Sequence, residues 1–257
     1  MVTIQPNSAI TSAEMLNKVR AKMASMQTVI SNDTPTGGTL ATSVFDRLRG
    51  DILNGTLKPG EKLALESLRE RYSVGNSPVR EALNRLSADG LVERQDQKGF
   101  RVAAVSGDDF QELLKTRLWL EERALRESID HGGTAWEERA VLAFHWLSRV
   151  PRSLSEETYI ENPEWEPRHR EFHLSLLSGC QSRWLINFCA QLYDQASRYR
   201  RLAVQSSYPK RHELDEHKLI LDAAVSNQAD EAVELLMSHY TKTAGFIISP
   251  ALEQANA

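Results

Sequence analysis

Cysteine is nearly absent: Cys180 and Cys189 are the two in 257 residues. Their spacing is not that of metal-ligating thiolates, so a cysteine zinc site is excluded and both are expected to remain reduced. No apolar run approaches the roughly 18 residues that a membrane-spanning helix needs. The N-terminus lacks the apolar core of a secretory signal, so a cytoplasmic protein with no membrane partner is expected. A glycine-rich phosphate loop and a nucleophile elbow are both missing, which removes the commonest nucleotide and acyl-transfer chemistries. No repeat at fixed spacing occurs. Excess charge of one sign is also lacking, the net being −4.

That small net charge hides a division. From Leu40 to Val105 there are 11 Lys/Arg against 9 Asp/Glu, a net of +2, whereas the chain from Ser106 onward carries −7. A mildly basic segment joined to an acidic one leaves nucleic-acid binding open despite the acidic total.

The basic segment centres on Ser77-Pro78-Val79-Arg80-Glu81-Ala82-Leu83-Asn84-Arg85-Leu86, closed by Asp89-Gly90. Ser77 suits a helix cap, Pro78 a first helical position and Gly90 a left-handed terminus. Val79, Ala82, Leu83 and Leu86 make one apolar stripe. Ser77, Arg80 and Asn84 share another face, whose hydroxyl, guanidinium and amide groups can bond phosphates and base edges in a DNA major groove. A helix from Thr42 to Leu53, with Phe45, Leu48 and Ile52 inward, and a short one marked by Leu65, Leu68 and Tyr72 precede it. After Gly90, Leu91–Arg94 and Phe100–Val102 are strand-like around a polar tip at 95–99. Three small helices and a basic hairpin make a winged helix-turn-helix. Arg94, Lys98 and Arg101 can reach phosphate or the minor groove from the wing.

The string Pro59-Gly60-Glu61-Lys62-Leu63, then L-R-E-R-Y-S-V-G-N-S-P-V-R-E-A-L-N-R-L-S-A-D-G-L-V and G-F-R-V, resembles the N-terminal domain of GntR-type transcription regulators. The match covers about Thr39 to Ser106. The resemblance implies a homodimer that binds a double-stranded operator, with Arg80 at the family's most regular DNA-contacting arginine. Asn76 stands where many members carry a second arginine. The DNA-contacting set is then Asn76, Ser77, Arg80, Asn84 and Arg85 from the helix, with Arg94, Lys98 and Gly99 from the wing.

Residues 1–38 are polar and small, and a flexible arm is expected there, with a short stripe at Leu16, Val19, Met23 and Met26. From Ser106 the pattern is helical throughout, with helices expected near 108–131, 136–150, 165–177, 183–203, 211–225 and 229–248. The expected organisation is an arm (1–38), a winged helix-turn-helix (39–106), an all-α bundle (107–250) and a tail (251–257). The fold class is therefore mostly α with a small β-hairpin.

Four of the seven histidines fall on apolar stripes of three of these helices. His169 and His173 lie one turn apart beside Trp165, Phe172, Leu176 and Cys180. His217 accompanies Leu214, Ile220 and Leu221, and His239 accompanies Ala232, Leu235 and Leu236. Nitrogen ligands converging from three helices suit a divalent transition metal, zinc first, with nickel, copper or iron open. H-R-E-F-H is not the zinc-protease pattern, because Arg170 stands where the general base must follow the first histidine. A hydrolase is therefore the weakest reading, and the protein is expected not to be an enzyme.

This half resembles the FCD-type ligand-binding domain of the FadR branch of the GntR family. In its metal-binding members an Asp or Asn, a histidine four residues on and two later histidines supply the ligands. The corresponding residues here are His169, His173, His217 and His239, with His169 in the place of the acid or amide. W-x-x-R-H-x-x-F-H…G-C and A-x-R-Y-R, here Trp165 to Cys180 and Ala196 to Arg200, resemble carbon-starvation-induced regulators that respond to glutarate-like dicarboxylates. Arg117 lies on an apolar stripe with Phe110, Leu113, Leu114 and Ala124, and a charge there needs a partner. That partner is either Glu121 or the carboxylate of a small effector. Tyr199 and Arg198 complete the expected effector-binding set. The expected function is a metabolite-responsive repressor released from DNA by a small carboxylate bound near the metal; the alternative is a purely structural metal.

Overall fold

The computed structural model describes residues 39–208 and 211–247. The expected arm, its short stripe, the tail and the last residue of the expected 229–248 helix lie outside the described residues.

Helix α1 (Leu40–Leu53) turns Ala41, Val44, Leu48 and Ile52 inward. The stripe is centred on Val44, so Phe45 sits at its edge and is only partly buried. Strand β1 (Lys62–Leu63) follows, then α2 (Leu65–Tyr72) and α3 (Asn76–Ala88). Strands β2 (Val92–Gln95) and β3 (Gly99–Val102) form the wing. The sheet order is β1-β3-β2, antiparallel throughout, with Leu63 and Arg94 both opposite Phe100. Two-residue β1 was not expected: it is too short to show an alternation. Leu48, Leu68, Val79, Leu83, Leu86, Leu91 and Val102 fill one core beneath the sheet.

Helix α3 starts two residues earlier than its sequence suggests. Gly75 takes the cap position in extended conformation, with no side-chain bond to the helix. Ser77 is therefore inside the first turn and does not cap it, and Pro78 still costs no hydrogen bond because the first four helical N–H groups lack intrahelical partners. The stop is as expected: Gly90 has φ +71°, and Leu91 N–H returns to Leu86 O at 2.9 Å. A side chain at that φ would be strained.

The second half is helical. Helix α4 (Gly107–His131) is capped by Ser106, whose hydroxyl accepts from Asp109 N–H at 3.1 Å. Helices α5 (Gly133–Ser148), α6 (Trp165–Leu177), α7 (Arg183–Ser207), α8 (Glu213–Val225) and α9 (Ala229–Ile247) follow. Their core holds Leu125, Trp136, Leu147, Phe172, Leu176, Ile220 and Leu236, with Cys180 and Cys189 buried and unpaired within it. Gly179 lets α4 approach closely, since an added Cβ would sit 2.8 Å from Ser128 O. Leu214 departs from its expected stripe and is 42% exposed. Among the described residues no helix is long and apolar enough to cross a membrane.

Candidate metal centre and effector cavity

Helix α6 presents His169 and His173, α8 presents His217 and α9 presents His239, and all four imidazoles are buried. One ring nitrogen from each lies within 4.8 Å of the other three. Nε2 of His169 is 3.2 Å from Nε2 of His217 and 3.1 Å from Nε2 of His173.

Outer contacts fix which nitrogen carries the proton. Tyr193 donates its hydroxyl proton to Glu166 at 3.0 Å, so its oxygen accepts from Nδ1 of His169 at 2.6 Å. Tyr240 donates to Glu121 at 2.5 Å, so it accepts from Nδ1 of His173 at 3.1 Å. Glu216 accepts from Nδ1 of His239 at 2.7 Å. These three rings thus keep their Nε2 lone pairs free. Those of His169 and His173 face one another with no proton to share, an arrangement that a cation relieves. The 3.1–3.2 Å spacings are close to the roughly 3.3 Å edge of a tetrahedron with zinc–nitrogen bonds of about 2.0–2.1 Å. The residues fit a divalent transition ion.

Electrostatics agree. Burial, then the neighbouring imidazoles and arginines, hold His169, His173 and His217 well below the usual histidine range. Burial brings His239 down to about 4 despite Glu216. Burial alone would raise Glu216, but hydrogen bonds from His239 and Arg211 hold it at about 2. At neutral pH the cluster is four neutral ligands, with ionised Glu216 behind His239.

Beside the cluster is a cavity of about 40 Å³. His169 and His239 line it together with Arg117, Arg152, Arg200 and Arg211. Each arginine has a resident carboxylate: Glu121, Glu213, Glu166 and Glu216 respectively. In the lining, Nη2 of Arg117 and Nε of Arg152 are buried donors without a hydrogen-bond partner, and Oε1 of Glu213 is a buried acceptor without one, although it pairs ionically with Arg152. Burial, then the charge of Arg200, lowers Arg152 to about 10, so it still carries its charge at neutral pH.

Of the expected effector set, the cavity gathers Arg117 alone. Arg117 pairs with Glu121 and also lines the cavity, so both of its expected partners remain compatible with its position. Tyr199 and Arg198 are elsewhere. Tyr199 bonds Asp109 and accepts from Ser106 N–H at 3.4 Å, while its ring packs on Phe110. Arg198 donates to the main-chain oxygens of Ala103 and Ala104, in the connection before α4. Arg152, Arg200, Arg211, Tyr193, Tyr240, Glu166 and Glu216 were missed. Arg200 was signalled by its place seven residues after Tyr193, two turns along the same face.

On α3, Asn76, Ser77, Arg80 and Asn84 are exposed, as are Arg94, Lys98 and Gly99 on the wing. Arg85 is also exposed, but its guanidinium lies 4.0 Å over the Phe45 ring. Arg101 does not reach outward: it donates to Gly60 O at 2.7 Å and to Gln95 at 3.3 Å, bracing the wing. Arg170 is held by Asp194 and Glu171 pairs with Arg168, so neither serves the histidine cluster as a base.

Comparison with known proteins follows the same division. Residues 40–102 match the family described as bacterial regulatory proteins, gntR family, and residues 112–242 match the FCD domain. The chain is 41% identical over 201 residues to an HTH-type transcriptional regulator, BphR, of Paraburkholderia xenovorans, covering 78% of this chain and 82% of that one. It is 33% identical over 196 residues to the HTH-type transcriptional repressor GlaR of Escherichia coli, covering 75% and 88%. Among solved structures, Escherichia coli McbR/YncC superposes with a TM-score of 0.70 at 19% identity, over 86% of this chain and all of that one.

Proposed function

The chain belongs to the GntR family of bacterial regulatory proteins, with an FCD domain in its C-terminal half, and on that footing we propose that it is a repressor released from its operator by a small carboxylate. It is a DNA-binding transcription regulator and not an enzyme. Residues 39–106 bind DNA through the exposed face of α3 and the wing, and residues 107–250 bind the metal and the effector. A homodimer places two α3 helices in successive half-sites of a pseudo-palindromic operator.

The observation that carries this reading is the pair of unpartnered donors, Arg117 Nη2 and Arg152 Nε, buried on two residues of the cavity that His169 and His239 also line. A buried donor without an acceptor costs about 1–3 kcal/mol. A carboxylate entering the cavity supplies acceptors to both arginines, whose planar forks suit it. Room of about 40 Å³ holds a few water-sized groups, which favours a small ligand. His169, His173, His217 and His239 would hold the ion, zinc first, and when bound it would supply a Lewis-acid contact for one carboxylate oxygen. The arginines orient the ligand, and Phe110, Leu113 and Phe246 add apolar surface to the lining that excludes water. A glutarate-like dicarboxylate would satisfy two arginines at once, and its chain would require the cavity to widen. Release from DNA requires the ligand to prefer the conformation that fits the operator less well.

A second reading rests on the count of histidines. Four imidazoles can close a tetrahedron, which would make the ion structural. Operator fragments selected from random duplexes, titrated with protein in the presence of short carboxylates, separate the two. Carboxylate-driven dissociation that requires the ion supports sensing; dissociation by no carboxylate in the panel supports the structural ion.

A further inference from the structure

Two consecutive residues of α7 grip two consecutive residues of α6. Tyr193 holds His169, as described, and Oδ1 of Asp194 accepts from Nε of Arg170 at 2.9 Å. The other carboxylate oxygen of Asp194 accepts from Nε of Arg49 at 3.2 Å, and Nη2 of Arg49 completes the contact. Arg49 lies on α1, whose Val44, Leu48 and Ile52 are part of the winged-helix core. Asp194 is 8% exposed, so this three-membered bridge is largely shielded from salt.

The next residue extends the same clasp. Gln195 donates to the main-chain oxygen of Asp89, at the C-terminus of α3, at 2.9 Å. Its own oxygen accepts from Arg198, which holds Ala103 and Ala104. Helix α7 therefore touches the histidine cluster at 193, and touches α1, α3 and the connection to α4 at 194, 195 and 198.

The geometry points to Asp194 as the positioning residue that couples the effector site to the DNA-binding domain. A displacement of His169 carries Arg170 with it, because the two are adjacent on one helix. Arg170 and Arg49 share one carboxylate, so a shift in the first changes the hold on the second. The inference rests on the proposed role of the cavity. Asparagine has the shape of aspartate but one carbonyl acceptor, and its amide N–H groups would face the second guanidinium. Asp194→Asn therefore breaks one arm of the bridge while leaving the histidines, the cavity arginines and the outward face of α3 in place. Coupling between sites needs such a contiguous contact and a measurement that isolates it.

Hydrogen–deuterium exchange of the full-length chain, with and without Zn²⁺, provides that measurement. Zn²⁺ should slow exchange in the 165–177 segment of the wild type, of Asp194→Asn and of Arg170→Gln. In the 40–53 segment it should change exchange by about threefold or more in the wild type and by little in either variant. Where Zn²⁺ slows 165–177, an equal response at 40–53 in wild type and variants, or none in the wild type, overturns the inference. Arg170→Gln serves if Asp194→Asn does not fold, since it removes the α6 arm alone. Should Zn²⁺ leave 165–177 unchanged in the wild type, the metal reading itself has failed. His169→Ala then replaces the ion as the perturbation. An effect of His169→Ala on 40–53 that vanishes when combined with Asp194→Asn or Arg170→Gln sustains the coupling, and an effect that persists, or none at all, overturns it.

Discussion

Arg117 and Glu121, one turn apart on α4, are paired inside the helical core: Nε of Arg117 donates to Oε1 of Glu121 at 2.6 Å, with both side chains almost fully buried. The other oxygen of Glu121 accepts from Tyr240, which in turn holds His173. Tyr240 also offers its ring face to the Arg117 guanidinium at 4.1 Å. This ion pair is therefore the far end of a chain that fixes a ligand imidazole. Arg117→Ala leaves the Glu121 carboxylate buried without a counter-ion, held by Tyr240 alone, and should cost about 3–5 kcal/mol of stability. Glu121→Gln keeps an acceptor and should cost less. Urea unfolding of both variants checks the order, and equal, small losses would mean the pair contributes little.

The histidines should act as one site. His173→Ala or His217→Ala should lower bound metal from about one equivalent per chain, measured by mass spectrometry under native conditions. Full stoichiometry in both variants would show that the ion is held elsewhere.

Arg80 and Arg85 should behave differently although they lie five residues apart on α3. Arg80→Ala should abolish discrimination between operator and random duplex, because its guanidinium is free on the outward face. Arg85→Ala removes a cation–π contact with Phe45 and should cost about 0.5–1 kcal/mol of stability. Wing contacts are tested by salt: Lys98→Ala should reduce the slope of log affinity against log salt by about one. Retained discrimination in Arg80→Ala would place the recognition surface elsewhere.

Burial pushes the Cys189 thiol up to about 12. The shift is upward, so at pH 8 only roughly one thiol in ten thousand is ionised. Iodoacetamide at that pH should modify neither Cys189 nor buried Cys180 in the native chain, and both after denaturation. Rapid native labelling of Cys189 would show that the α7 core opens.

The histidine cluster is legible in the sequence because an imidazole on an apolar stripe stands out at helical spacing. Its supporting residues are less so. Tyr199 and Arg200 adjoin in one motif, yet Arg200 lies about 20° from Tyr193 around the helix and Tyr199 about 120° away. One residue therefore lines the cavity while the other faces the connection before α4. Arg152 sits outside any helix, so no periodicity marks it. The winged helix is legible from its turns and stripes, but not the register of Ser77. Capping propensity favours serine, whereas the tight entry after Ser73, at φ 56°, puts Gly75 at the cap instead.

The most direct test is the melting temperature of the purified chain against short mono- and dicarboxylates, as isolated and after chelation. A ligand that binds the native state raises it with concentration, by about 2.7 kcal/mol of added stability at a hundred times its dissociation constant. A rise with a particular carboxylate, lost on chelation and restored by Zn²⁺, is the predicted result. Melting that depends on the ion but ignores every carboxylate would contradict the sensor and leave the four histidines a structural centre.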